Sequence, residues 1–167
     1  MRLLVSVFLL GLVVGCDHDR HSSITDPSMV IGDIRGDRLG MSRQEYAKSH
    51  PGSCGDSGPC VGQDTYAGVS ALKDAEFTDD GKLWQIHYAV DDIFSDQILA
   101  AIKEKYRDLP GCRNVDGITC TWSNLNAEIR FSNTGKYANL DFNDVALTKQ
   151  VVDAYARKQA EKRKSDQ

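Results

Sequence analysis

Five cysteines carry most of the chemistry open to this 167-residue chain. Cys16 closes an apolar run, while Cys54, Cys60, Cys112 and Cys120 stand in the polar body of the sequence, an even number of thiols that an oxidising compartment would convert to disulfides. Four thiols permit three connectivities. Cys54 with Cys60 and Cys112 with Cys120 is the expected pairing, because each pair flanks a short glycine-containing loop. A zinc site is the competing chemistry. Neither pair has the spacing of about two to four residues expected of structural zinc ligands, and no histidine is suitably placed. His18 and His21 lie in a polar segment that reads as a solvated linker, and His50 beside Pro51 reads as a helix end. His87 alternates opposite apolar neighbours and is expected to point away from the core.

"CGDSGPC" resembles the Gly-Asp-Ser-Gly-Gly-Pro box around the nucleophile of trypsin-like proteases, with one glycine missing. That chemistry needs a histidine base buttressed by a carboxylate, held between two barrels. Only a leader, a linker and one short helix precede it, so a disulfide-closed turn is expected instead. Asp79-Asp80 suits a hairpin turn and Asp91-Asp92 the positive end of a helix dipole. Arg35-Gly36-Asp37 matches an integrin-binding tripeptide but reads as turn chemistry. Without a nucleophile–base pair, a metal cluster or a phosphate-cradling loop, the expectation is a protein that is not an enzyme and carries no cofactor. Its candidate contact residues are Asp56, Ser57, Trp84 and His87.

The elements that must position these residues begin after an N-terminal leader. Residues 3–15 are apolar except Ser6, and Arg2 supplies a positive charge in front. That run is shorter than the roughly 20 residues a membrane helix needs, and it suits a signal peptide. Val13-Val14-Gly15-Cys16 resembles the lipobox of bacterial lipoproteins. The resemblance implies cleavage before Cys16, a thioether-linked diacylglycerol on its sulfur and an acylated (palmitate-type) amine. The alternative is an ordinary secretory signal with Cys16 as a structural cysteine. Removal of Arg2 with the leader takes the net charge from −4 to −5, which gives no reason to expect nucleic acid as a partner.

Four regions follow: a signal peptide over 1–15, a polar tether over 16–30, one domain over 31–156 and a basic polar tail over 157–167. The tail reads as a solvated helix end, with anionic lipid headgroups as the alternative contact. Ser42 and Glu45 have capping-box spacing, Met41 and Tyr46 could form a hydrophobic staple, and Pro51 ends that helix. Residues 52–68 read as a stapled loop. Val69, Ala71, Ala75 and Phe77 then share a strand face interrupted by Lys73, and Asp79-Asp80-Gly81 turns the chain into a strand carrying Trp84, Ile86, Tyr88 and Val90. Ser95 should cap a helix with Ile98, Leu99, Ile102 and Tyr106 on one stripe, stopped by Pro110-Gly111. A strand near 118–122 and a hairpin turning at Asn133-Thr134-Gly135 come next. A final helix should place Leu147, Val151 and Tyr155 on one side. The order helix-strand-strand-helix-strand-strand-strand-helix predicts an α+β fold, about five antiparallel strands with the helices packed on one face.

"RLGMSRQEYAKSHPG" is similar to the opening helix of the BamE/SmpA family, small lipoproteins of the β-barrel assembly machinery, through Gly40-Met41-Ser42 and the closing Pro51-Gly52. Domains with the β-lactamase-inhibitor-like fold share that helix-and-antiparallel-strand plan. They place two helices before a three-stranded sheet, whereas here a hairpin intervenes and the chain continues further. The resemblance implies a non-catalytic, protein-binding lipoprotein facing the periplasm, held to the bilayer by acylated Cys16 and partnered by another envelope protein. The expected function is therefore an envelope assembly or maintenance factor. An inhibitor or immunity protein against a hydrolase is the first alternative, and an envelope enzyme or small-ligand carrier the second. Asp17 resembles an inner-membrane retention signal of enteric bacteria, so inner and outer membrane both stay open.

Overall fold

The computed structural model describes residues 34–106, 112–114, 118–123 and 126–166. The leader, Cys16, His18, His21 and Pro110-Gly111 lie outside them. Three helices and seven strands follow in the order α1 (Arg43–Ser49), β1 (Cys60–Tyr66), β2 (Val69–Phe77), β3 (Leu83–Asp91), α2 (Ser95–Lys105), β4 (Cys112–Asn114), β5 (Ile118–Ser123), β6 (Ala127–Asn133), β7 (Tyr137–Asp144) and α3 (Val145–Ser165). The strands form one antiparallel sheet in the order β1-β2-β3-β7-β6-β5-β4. Two meanders thus meet at β3 and β7, joined through α2.

The α+β class and the antiparallel hairpins agree with expectation, but the strand count does not. Six strands have six to nine residues, and β4 is a three-residue edge held to β5 by a disulfide. β1 occupies the second half of the stretch expected to be a loop. Its core-side positions are Cys60, Gly62, Asp64 and Tyr66, which face Lys73 and its carboxylates instead of a purely apolar layer. The two-residue hydrophobic period that announces a strand is therefore absent.

Along the middle of the sheet, Lys73, Tyr88, Leu140, Phe131 and Cys120 pair in register, and all are buried. Tyr46 of α1 and Ile98, Leu99 and Ile102 of α2 join this core. Ser42 caps α1 as expected: its hydroxyl accepts from Glu45 N–H at 3.2 Å, and Glu45 accepts from Ser42 N–H at 2.8 Å. Asp91, not Ser95, provides the cap before α2, accepting from Ile93 N–H ahead of a 3-10 turn at Asp92–Phe94.

Two core assignments also change. The pairing of Glu76 with Gln85 and then of Phe77 with Leu83 leaves Trp84 as the extra residue of a bulge, so Leu83 takes the buried place and Trp84 is half-buried. α3 buries no side chain fully: Leu147, Val151 and Ala154 are half-buried and Tyr155 is exposed, because the helix runs beside the β2–β3 turn, where Lys158 meets Asp79 at 3.0 Å. It continues through the expected tail to Ser165. No described helix is long and apolar enough to cross a membrane.

Candidate functional site

The residues between Cys54 and Cys60 form an exposed loop held from three sides. A disulfide closes it, α1 lies behind it, and β1 continues from it. Arg43, on the first turn of α1, donates to Gly58 C=O at 2.5 Å and Gly55 C=O at 2.9 Å. Its guanidinium also lies 5.2 Å from the Phe77 ring centroid. The capping box and buried Tyr46 fix α1, so the clamp on the loop has a rigid base. Asp56 and Ser57 project from this loop into solvent.

Beside the loop, residues 50–53 and 61–64 wall a cleft of about 330 Å³ floored by Tyr46 and Lys73. Lys73 donates to Asp37 with both side chains almost wholly buried, and its Nζ lies 3.4 Å from Asp64 Oδ2. Asp37 Oδ1 meets His50 Nε2 at 2.7 Å. Arg35 reaches Asp64 at 3.4 Å and donates to the backbone carbonyl and hydroxyl of Thr65. The Lys73 ammonium also lies 5.4 Å and 5.6 Å from the Tyr46 and Tyr88 ring centroids. Buried charges survive only when paired, and here each carboxylate has a cation or histidine partner.

The charges leave their mark on neighbouring acids. Burial pushes the Tyr46 and Tyr88 phenols well up, and the nearby carboxylates Asp37 and Asp64 add to the rise. Burial also opposes ionisation of Asp64, but the Thr65 N–H, Lys73 and Arg35 together outweigh it and hold that carboxyl below its usual range. Both tyrosines thus stay neutral near pH 7, and Tyr46 lines the cleft as a polar-edged ring.

A second cluster lies on the opposite sheet face. Asp74, His87, Asp141, Arg130 and Thr121 fall in one cross-strand row. His87 Nδ1 meets Asp141 Oδ1 at 2.7 Å, and Gln85 donates to the same oxygen at 3.5 Å. The Asp141 contact raises the His87 pKa against the opposing effect of burial, with Asp74 and Glu76 adding to the rise. Burial and the like charge of Asp74 push Glu76 up. Asp74 Oδ1 is buried without a hydrogen bond. Among the described residues, no three His, Cys, Asp or Glu side chains converge as metal ligands.

The structure brings only some of the expected site residues together. Cys54–Cys60 and Cys112–Cys120 are the disulfides, as expected. Asp56 and Ser57 share the loop. Trp84 and His87 lie on β3, and His87 points away from the core but is paired and half-buried, not a plain surface group. His50 gives its Nε2 to Asp37, so the Asp-Ser-Gly resemblance acquires no triad contact at Ser57. Asp37 of the Arg-Gly-Asp tripeptide is 1% exposed and engaged by Lys73 and His50, which removes it from any external receptor. Sequence reasoning missed the network itself. Its one visible signal was Lys73, a lysine at an inward position of an otherwise apolar strand face.

No protein-family model matches the sequence, and no curated protein matches it. Among solved structures, the chain is similar to a DUF4309 family protein, YjgB, from Bacillus subtilis subsp. subtilis str. 168. The TM-score is 0.40 at 11% identity, over 62% of this chain and 78% of that one. So distant a likeness carries no function across.

Proposed function

We propose that this chain is a lipid-anchored envelope protein, held at Cys16 and facing the periplasm, that acts by binding another protein in envelope assembly or maintenance. The loop between Cys54 and Cys60 is the element it presents. What carries the reading is that this loop is exposed yet already fixed by the disulfide and the two Arg43 hydrogen bonds. A fixed loop loses little conformational entropy on docking, so more of its contact energy appears as affinity. Among the described residues, the exposed large apolar side chains are Val61 on β1, Leu72 on β2, Ile93 and Phe94 before α2, Tyr137 on β7, and Val145, Val152 and Tyr155 on α3.

The same narrow, closed loop favours a second reading, an inhibitor whose loop enters the cleft of an envelope hydrolase. A photo-crosslinking residue placed at Ser57 in living cells, against a control at Thr134, tests both. One dominant protein adduct at position 57 alone is expected, and the adduct's identity separates the readings: an assembly component for the first, a muralytic enzyme for the second. Equal or absent adducts at the two positions would overturn the proposal.

A further inference from the structure

The β1 edge of the sheet is blunted at both ends and open in between. Val61 turns its N–H away from β2 to donate to Ser53 C=O at 2.8 Å. The alternation of an antiparallel ladder then turns the N–H and C=O of Gln63 and Thr65 to the same outer side. At Thr65 both groups are used, the N–H by Asp64 Oδ1 at 2.7 Å and the C=O by Arg35. At Gln63 neither has a partner among the described residues.

The vacancy has a backbone cause. Ser53 and Cys54 run antiparallel to β1 as a two-residue strand position, pairing with Val61 and Cys60. Gly52, at φ 82°, then turns the chain back toward α1 before it reaches the place opposite Gln63. That left-handed conformation is one glycine adopts freely. The cleft opens where the chain departs, and its wall at Gly62 has no side chain. A Cβ there would meet nothing closer than Ser53 Cβ at 3.7 Å.

We infer that the β1 edge and this cleft together bind an extended segment of the partner protein, which pairs with the Gln63 backbone and places a neighbouring side chain in the space over Gly62. Residues flanking a paired position point to the opposite face of the ladder, which here is the cleft side. A second folded copy does not suit the site. The segment 50–54 and the Arg35 turn stand beyond the edge on either side, and one open residue is far from the roughly 1,200 Å² a stable interface buries. A loose strand fits between them. This inference rests on the protein-binding reading above and names the form of the partner.

The test uses the purified full chain and a displayed library of unstructured decapeptides. Enriched peptides are expected to lose about tenfold in affinity on Gln63→Pro, which removes an outward N–H that the ladder does not use, the loss expected for one intermolecular hydrogen bond. Gly62→Leu, which fills the cleft, should cost at least as much, and Thr134→Ala should change nothing. Bound peptide should also slow exchange of the Gln63 amide, a readout needing no variant. Failure to enrich any peptide, peptides indifferent to both substitutions, or an unprotected Gln63 amide would overturn the inference. A cell-based crosslinker at position 63 separates it from its premise: adducts at 57 but not 63 sink the edge and leave protein binding standing, while none at either position sinks both. A crosslinked homodimer through Gln63 also counts against it.

Discussion

Lys73 and Asp37 form an ion pair across 36 residues of sequence, with side chains only 4% and 1% exposed. The pair fastens residues 34–39 to the sheet floor. Breaking a buried pair strands one charge, whereas replacing both members removes the desolvation cost as well. Asp37→Ala and Lys73→Met should each destabilise by about 3–5 kcal/mol, and Asp37→Leu with Lys73→Met by clearly less than their sum. Urea unfolding midpoints at constant slope measure this. Additive losses would show that the two side chains do not act as a unit.

His87 sets a pH dependence near neutrality. Asp141 on β7 and Asp74 and Glu76 on β2 face it, and its folded pKa lies above its ordinary value of about 6.5. The folded state therefore binds the proton more tightly, so the stabilisation is complete below that ordinary value and fades as pH rises through the folded pKa. His87→Gln should remove that slope, with a difference under about 1 kcal/mol because the pair is partly solvated. Thermal melts of both proteins between pH 5 and pH 9, on the order of one pH unit apart, would read it. A wild-type advantage that grew with pH would contradict the pairing.

The loop between Cys54 and Cys60 should separate global from local stability. Replacing both cysteines by alanine should cost about 2 kcal/mol through the short closed loop. Arg43→Ala should change global unfolding by no more than about 1–2 kcal/mol yet speed proteolytic cleavage within residues 55–59, because only the two carbonyl contacts and the stacking on Phe77 are lost. An unchanged cleavage rate would mean that the disulfide alone holds the loop.

The anchor is tested at one atom. Cys16→Ser should abolish palmitate labelling and leave the chain unprocessed or released from vesicles by a carbonate wash. Normal cleavage with retained, unlabelled membrane binding would exclude the lipid.

The sequence by itself determined the local chemistry: the Ser42–Glu45 capping box, the strand hairpins and both disulfides were legible because each depends on residues close along the chain. It also supplied the apolar stripe of α2. Where a signal required alternating oil and water, it failed wherever the buried partner was polar: β1 faces Lys73 and its carboxylates, so it read as loop, and the bulge at Trp84 shifted the core to Leu83. Only the tertiary structure decided that Asp37, His50, Asp64 and Lys73 meet beside the closed loop, and that Gly52 turns the backbone away to leave Gln63 open. Charge pairing and edge exposure depend on which distant segments become neighbours, and no spacing along the chain encodes that.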